Sequence, residues 1–369
     1  MSLNSTLGMA AVSPANRFFP LEIANVRADT PDALLVTLAV PDELQPAFRF
    51  EPGQHLILRA TIEGSEVRRP YSICSAVQDD VLRIAIKRAP AGLFSNWAFD
   101  HLKAGTRVEV LPPSGRFGIP LSREQPHQYV AFAAGSGITP IFSIIKSTLL
   151  AERESQFTLF YGNRSSSSVM LRNELSDLKD RFLDRFTLVH ILTRERQESD
   201  LLCGRIDGAK CHDLLKRWVS IAEVDTAFLC GPGSMIEEIK SALMADGVPA
   251  SKIRSELFNA PRNGAPVAHV STGAEQCMVT VVLDGIEHKF TMQKGVECVL
   301  KAGLRHGIDL RYGCQGGVCA SCRAHLRSGQ VDMDAHYGLE DYEIDQGFIL
   351  TCQSYPRSNE LVVDFDRIH

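Results

Sequence analysis

Four of the ten cysteines in this 369-residue chain have a spacing that does chemistry. The stretch Arg311-Tyr-Gly-Cys314-Gln-Gly-Gly-Val-Cys319-Ala-Ser-Cys322 carries C-x4-C-x2-C, and Cys352 follows after 29 intervening residues. Two sulfide-bridged irons need two thiolates each, and this is the ligand spacing of one class of [2Fe–2S] centre. One loop supplies three ligands, and a distant strand supplies the fourth. Gly313, Gly316 and Gly317 let the loop backbone approach the inorganic sulfurs and aim N–H groups at them. A zinc ribbon would show two C-x2-4-C knuckles, whereas here the fourth cysteine stands alone. Disulfides are disfavoured in a chain that shows no export signal. Cys74, Cys203, Cys211, Cys277 and Cys298 are scattered and read as buried or incidental thiols. A chain that holds a one-electron centre must be fed electrons, and two other groups of residues bear on the source.

The first group is Arg69-Pro70-Tyr71-Ser72, Ile86-Lys87-Arg88 and Gly92-Leu93-Phe94-Ser95. Together these could hold a planar, phosphorylated molecule. A ring stacks, a hydroxyl bonds a ring nitrogen, an arginine faces a pyrophosphate, and a helix N-terminus takes another phosphate oxygen. Singly each is weak, since Arg69 also reads as a surface arginine and Tyr71-Ser72 as an ordinary strand. The second group is the turn Gly135-Ser-Gly137-Ile-Thr139-Pro140, where Thr139 suits an N-cap and Pro140 the first helical position. A glycine turn between strand and helix seats a nucleotide pyrophosphate on exposed N–H groups. Cys230-Gly231-Pro232 stands at a later strand end, and Glu256-Leu257-Phe258 follows. Cys230 alone would read as a packed core thiol.

The elements that must position these groups fall into three patterns. Short alternating segments at 21–28, 33–40, 55–62, 81–87 and 107–111, with a helix at 94–103, predict an antiparallel β-barrel. From 129 onward, apolar strands at 129–134, 157–161, 186–192 and 226–230 alternate with helices, including 141–150 and 169–181, and predict a doubly wound α/β sheet. Residues 277–283 and 286–292 make a hairpin about Asp284-Gly285, followed by a short helix at 296–306 and the cysteine loop. The expected organisation is a loose tail (1–16), a barrel domain (17–125), an α/β domain (126–258), a Pro- and Gly-rich tether (259–275) and a cluster domain (276–369).

In that order, R-x-Y-S, a lysine-ended strand and G-x-x-S resemble the flavin domain of the ferredoxin–NADP reductase superfamily. The last domain resembles the β-grasp fold of plant-type ferredoxins. The resemblance implies FAD rather than FMN, with Tyr71 stacked on the isoalloxazine and Ser72 near flavin N5. It places Arg69 and Ser95 on the pyrophosphate, with Gly92 and Phe94 in the same segment, and sets Lys87 beside the pocket. It puts Cys230, with Gly231 and Pro232, near the nicotinamide C4, and Glu256 and Phe258 beside the flavin. Dinucleotide folds often carry an acid for the ribose 2′-OH, but this chain has Tyr161-Gly-Asn-Arg164-Ser165-Ser166-Ser167-Ser168. A guanidinium and hydroxyls favour a 2′-phosphate, hence NADPH over NADH, although the serines also read as a helix cap. Within the superfamily the chain is similar to reductase subunits of phenylacetyl-CoA epoxidase complexes. That similarity rests on Tyr161-Gly-Asn-Arg164, Gly204-Arg205-Ile206-Asp207-Gly208, Gly316-Gly317-Val318-Cys319-Ala320 and Val362-Val363-Asp364-Phe365-Asp366. It implies hydride transfer from NADPH to FAD, then single electrons through [2Fe–2S] to a separate diiron oxygenase. A reductase for a Rieske, another diiron or a steroid hydroxylase system using NADH is the alternative.

The formal net charge of −5 gives no reason to expect nucleic acid as a partner. No apolar run approaches the length of a membrane span, and the first residues lack a signal-peptide layout, so a cytoplasmic chain is expected. Between Val331 and Gln346 lie Asp332, Asp334, Glu340, Asp341, Glu343 and Asp345, with no Lys or Arg. Such a run is either a solvated face or a docking patch for a basic site on the oxygenase.

Overall fold

In the computed structural model, which describes residues 17–122, 125–258 and 275–367, the first sheet grows from strands that bury alternate residues. They are β1 (Phe19–Thr30), β2 (Ala33–Ala39), β3 (His55–Ile62), β4 (Ser65–Ser72), β5 (Leu82–Lys87) and β6 (Arg107–Ser114), in the antiparallel order β4-β3-β6-β1-β2-β5. A bridge between Ile73 and Ile84, beside a 2.8 Å bond from Cys74 N–H to the Arg83 carbonyl, joins the edge strands and closes the sheet into a barrel. Leu21, Ile23, Val36, Leu56, Ile84 and Val110 fill it, and α1 (Leu93–His101) adds Phe94 and Ala98 to the same core.

The second sheet is all parallel. Its elements are β7 (Gln128–Ala134), α2 (Ile138–Ala151), β8 (Gln156–Asn163), α3 (Arg172–Arg181), β9 (Phe186–Leu192), α4 (Gly208–Trp218), β10 (Val224–Cys230), α5 (Gly233–Ala245) and β11 (Ile253–Glu256). The strand order β11-β10-β7-β8-β9 reverses direction between β7 and β10. Helices α2 and α3 pack on one face with Tyr129, Ala131, Leu159 and Phe228, and α4 and α5 on the other with Val130, Phe132, Phe160 and Leu229. Strands covered on both faces explain why 129–134 reads as an unbroken apolar run.

Helix α2 is buried along most of its length because its outer side meets the barrel. Ala33, Leu35, Cys74, Ala85 and Phe117 of the barrel share its core. Ser143 Oγ donates to the Ser75 carbonyl at 2.7 Å, Val77 N–H donates to Ser147 Oγ at 3.2 Å, and Lys146 pairs with Asp79 at 2.6 Å. At another contact Asp29 accepts from Leu171 N–H at 2.9 Å, and Arg27 pairs with Glu174. These ties place the barrel and the parallel sheet, through residue 258, in one compact unit.

Several expected helix starts move. The helix expected from 296 begins at Val299, and α1 begins at Leu93 rather than 94. Helix α2 begins at Ile138, three residues before the expected 141, because the 3-10 turn Gly135–Gly137 runs straight into it. Gly137 is the N-cap, and Thr139 lies inside the first turn, donating Oγ1 to the Ser136 carbonyl at 3.0 Å. The helix expected over 169–181 begins at Arg172, because Ser166–Ser168 form their own 3-10 turn and Leu171 is left-handed at φ 55°.

The second compact unit contains the described residues 275–367. Its elements are β12 (Gln276–Leu283), β13 (Ile286–Gln293), α6 (Val299–Arg305), β14 (Arg323–Ser328), β15 (Val331–Met333), α7 (Asp341–Asp345), β16 (Phe348–Leu350), β17 (Ser354–Pro356) and β18 (Glu360–Asp364). The mixed sheet runs β13-β12-β18-β14-β16, with β12 and β18 parallel. Asp284 and Gly285 both have positive φ, 52° and 75°, as a two-residue hairpin requires. The Asp366 carboxylate accepts both of their N–H groups at 2.7 Å, which gives the final Val362–Asp366 segment a structural task. Helix α6 buries Val299, Leu300 and Ala302 in the core. The expected tail at 1–16 and, except for Glu275, the tether at 259–275 lie outside the described residues. Among the described residues no helix is long and apolar enough to cross a membrane.

Candidate functional site

The topological switch between β7 and β10 opens a crevice at the carboxyl ends of both strands, where doubly wound sheets bind nucleotides. The turn after β7 is held by Tyr161, whose hydroxyl donates to the Gly135 carbonyl at 2.9 Å. A Cβ on Gly137 would lie 2.1 Å from the Cys230 carbonyl oxygen, so the two strand ends can approach only with glycine there. The resulting cleft of about 1150 Å³ is lined by Gly135, Ser136, Gly137, Gly231, Pro232, Lys87 and Phe258, among others.

Three arginines line the same cleft, Arg164, Arg194 and Arg205. Sequence reasoning singled out Arg164 for this task and missed the other two. Arg205 lies in the quoted Gly204–Gly208 motif, but Arg194 has no motif. It reaches the cleft because it follows β9, with its N–H bonded to the Arg164 carbonyl at 2.8 Å. Nearby carboxylates already have partners. Asp207 caps α4 by accepting from Lys210 N–H at 2.8 Å, and Glu195 accepts from Ser166 N–H at 3.0 Å. Ser165 joins Ser168 in a capping box and lies 3.0 Å from Ser167, so the serine-cap reading has a structural basis beside the exposed Arg164. Thr139 and Pro140 are buried behind the turn and do not line the cleft.

On the barrel side, β4 presents Tyr71 with its ring 5.6 Å from that of Phe94. Burial pushes the Tyr71 phenol above its ordinary range. Ser72 Oγ donates to Glu256 Oε2 at 3.5 Å, and Glu256 stands opposite Cys230 in the β10–β11 register. Desolvation pushes the Glu256 carboxyl from 4.5 up to about 8, against the opposing effect of the Ser72 hydrogen bond. Burial, then the neighbouring Glu256, pushes the Cys230 thiol well up. Ser72, Glu256 and Cys230 thus converge from two sheets. Arg69 and Ser95 make separate local bonds. Arg69 is exposed and donates to the Arg68 carbonyl at 2.7 Å. Ser95 accepts from Ala89 N–H at 3.1 Å and donates to the Gly92 carbonyl at 3.2 Å, which fixes the loop entering α1. Lys87 lies 3.5 Å from Asp32 at the cleft wall.

In the other unit the four cysteines are paired two by two. Cys314 faces Cys319, and Cys322 faces Cys352. A cluster of two irons, each with two thiolates, fits this donor set. Among the described residues no three His, Cys, Asp or Glu side chains converge as a single-ion site. A hydrogen bond from Cys319, with the N–H groups of Gly316 and Val318, draws Cys314 well below the ordinary thiol range. Gly316 N–H lies 3.3 Å from Cys314 Sγ, and Cys314 N–H lies 3.4 Å from Cys319 Sγ. Gln353 donates to the Gln315 carbonyl at 3.0 Å and ties the strand of the fourth cysteine to the loop of the first three.

The acidic run from 331 to 346 needs a correction. Glu343 is 3% exposed and pairs with Arg323 at 2.8 Å, so it belongs to the core. Asp332 pairs with Arg357 at 3.2 Å, and Glu340 caps α7. Asp341 and Asp345 remain as exposed acids of that helix.

Comparison with known proteins matches each part separately. Residues 21–119 match the oxidoreductase FAD-binding domain, 132–241 the oxidoreductase NAD-binding domain and 281–357 the 2Fe-2S iron-sulfur cluster binding domain. The chain is 44% identical to a subunit of the 1,2-phenylacetyl-CoA epoxidase of Escherichia coli (strain K12), covering 95% of this chain and 98% of that protein. It is 34% identical to the ferredoxin reductase component of 3-ketosteroid-9-alpha-monooxygenase from Rhodococcus rhodochrous, over 96% and 99% of the two. The solved structure of phthalate dioxygenase reductase, described as modular for electron transfer from pyridine nucleotides to [2Fe–2S], shares the fold. Its TM-score is 0.60 at 24% identity, covering 96% of this chain and all of that one. The chain belongs to the family of electron-transfer reductases that join FAD-binding, NAD-binding and [2Fe–2S] domains in one polypeptide and that includes the reductase components of oxygenase systems.

Proposed function

We propose that this reductase takes hydride from NADPH and delivers single electrons to the diiron oxygenase of a phenylacetyl-CoA epoxidase. The observation that carries the reading is the 44% identity to the E. coli epoxidase protein, which extends over nearly the whole of both chains. FAD and the cluster, when bound, supply the two-to-one electron conversion that a nicotinamide cannot perform.

The chain's own residues do the rest. Gly135 and Gly137 keep the cleft open to a pyrophosphate at the turn before α2, with Gly231 and Pro232 opposite. Arg164, with Arg194 and Arg205, offers a 2′-phosphate the positive charge that makes NADPH the coenzyme. Tyr71 gives the flavin ring a stacking surface next to Phe94, and Phe258 packs where the nicotinamide enters. Arg69, Ser95 and the loop at Gly92 receive the flavin pyrophosphate, beside Lys87. With its carboxyl near 8, Glu256 holds a proton at neutral pH, so Ser72, Cys230 and Glu256 present no negative charge to the reacting rings. Cys314, Cys319, Cys322 and Cys352 bind the cluster.

Reconstitution tests the partner. With the purified oxygenase subunits of a phenylacetyl-CoA epoxidase, the chain should support NADPH-dependent epoxidation. Coupling instead to a steroid monooxygenase oxygenase would favour the second reading, to which the 34% identity over the Rhodococcus rhodochrous component lends support. Arg164→Ala tests the coenzyme. Loss of one charge-assisted bond should raise KM for NADPH about ten- to a hundredfold and leave that for NADH nearly unchanged. Equal effects would assign Arg164 to the fold.

A further inference from the structure

Arg311 stands three residues before Cys314, between Leu310 and Tyr312, which are 0% and 7% exposed and belong to the core of their unit. Arg311 itself is half-buried, and its Nε is sealed from water with no hydrogen-bond partner. Among the described residues the guanidinium makes no hydrogen bond and no ion pair with a carboxylate. Other arginines of the same unit are paired: Arg323 with Glu343 at 2.8 Å and Arg327 with Asp364 at 2.6 Å. A guanidinium partly withdrawn from water, with one buried nitrogen unpaired, is costly without a counter-charge, so its retention calls for an anion nearby. Burial opposes the charge of Arg311, and the group that favours it is Cys319.

We propose that Arg311 is the counter-charge of the iron–sulfur cluster and raises its reduction potential. Two ferric ions, two sulfides and four thiolates carry two net negative charges, and one added electron makes three. A fixed positive charge in partly desolvated surroundings favours the more negative state. Arginine suits the task because it stays protonated through both oxidation states. No bond forms or breaks at Arg311, and the electron comes from the reductase reaction itself. The arrangement strengthens the drive from flavin to cluster and tempers the drive from cluster to acceptor.

The inference rests on the four-cysteine cluster, so cluster loading and potential are read separately. Full-length Arg311→Gln, Arg311→Leu and Arg311→Lys proteins would be assayed for iron and sulfide, then titrated with the cluster followed by EPR. In the loaded Gln and Leu variants the equilibrium constant for cluster reduction should fall about tenfold, equivalent to about 59 mV for one electron. The Lys variant should keep most of the wild-type potential. A fully loaded Gln or Leu variant at the wild-type potential would overturn the proposal, as would a Lys variant that falls as far as Leu. Should the neutral variants hold no cluster while Lys does, a required positive charge is supported. Loss of the cluster in all three would overturn it in favour of a purely steric role. Loss of cluster from the unsubstituted chain would count against the ligand set instead.

Discussion

Glu256 is a residue whose chemistry departs from what its type suggests, because burial holds its proton on. Its carboxyl titrates near 8 in the folded chain against 4.5 ordinarily. Below 4.5 both folded and unfolded chains hold the proton. Between 4.5 and about 8 the unfolded chain releases it first, so this group's contribution to stability falls as pH rises, and it levels off above 8. Glu256→Gln removes that loss. Thermal unfolding across this range should show the variant gaining on the wild type with rising pH, and a constant difference would mean Glu256 ionises normally. The four cysteines stand out in the sequence because ligand choice is a matter of residue type and spacing, and the proposed ligand set rests on that pattern. Glu343 does not stand out. It reads as one acid in a run, and only the fold brings it to Arg323, which starts β14 directly after Cys322. Arg194 was hidden for the same reason, since a residue after a strand end reaches the cleft only when a parallel sheet aligns it with its neighbours.

Elements were legible where burial imposes a period. Alternation gave the strands of the barrel, and unbroken apolar runs gave the parallel sheet. The starts of α2 and α3 were misplaced because 3-10 turns leave no periodic trace, and capping residues also occur inside first turns. The cluster loop depends on conformations that most side chains avoid. Gly317 has φ 73°, and a Cβ there would lie 2.8 Å from the Ala335 carbonyl oxygen. Gly317→Ala should therefore cost about 1–3 kcal/mol of local strain and displace the backbone that carries Cys319. The expected result is loss of iron and of the cluster's visible absorbance, with flavin content unchanged. Full cluster occupancy in that variant would show that the loop tolerates the added carbon.

At the scale of the whole molecule, the domain order was legible because each part carries its own motif. The oxygenase was not, because its substrate touches no residue of this chain. The exposed Asp341 and Asp345 of α7 bear on docking. If they steer the chain to a basic site, electron delivery to the oxygenase should slow as ionic strength rises, while ferricyanide reduction changes little. Asp341→Asn with Asp345→Asn should flatten that dependence, and an unchanged salt profile would leave the two acids as a solvated surface. The central proposal is that one chain carries electrons from NADPH through FAD to a single two-iron cluster held by four cysteines. Anaerobic reduction with NADPH, followed by flavin absorbance and by EPR, tests it most directly. The wild type should bleach its flavin and develop one [2Fe–2S] signal per chain. Cys322→Ser should bleach its flavin but show no such signal. A normal cluster signal in Cys322→Ser, or none in the fully loaded wild type, would contradict the account.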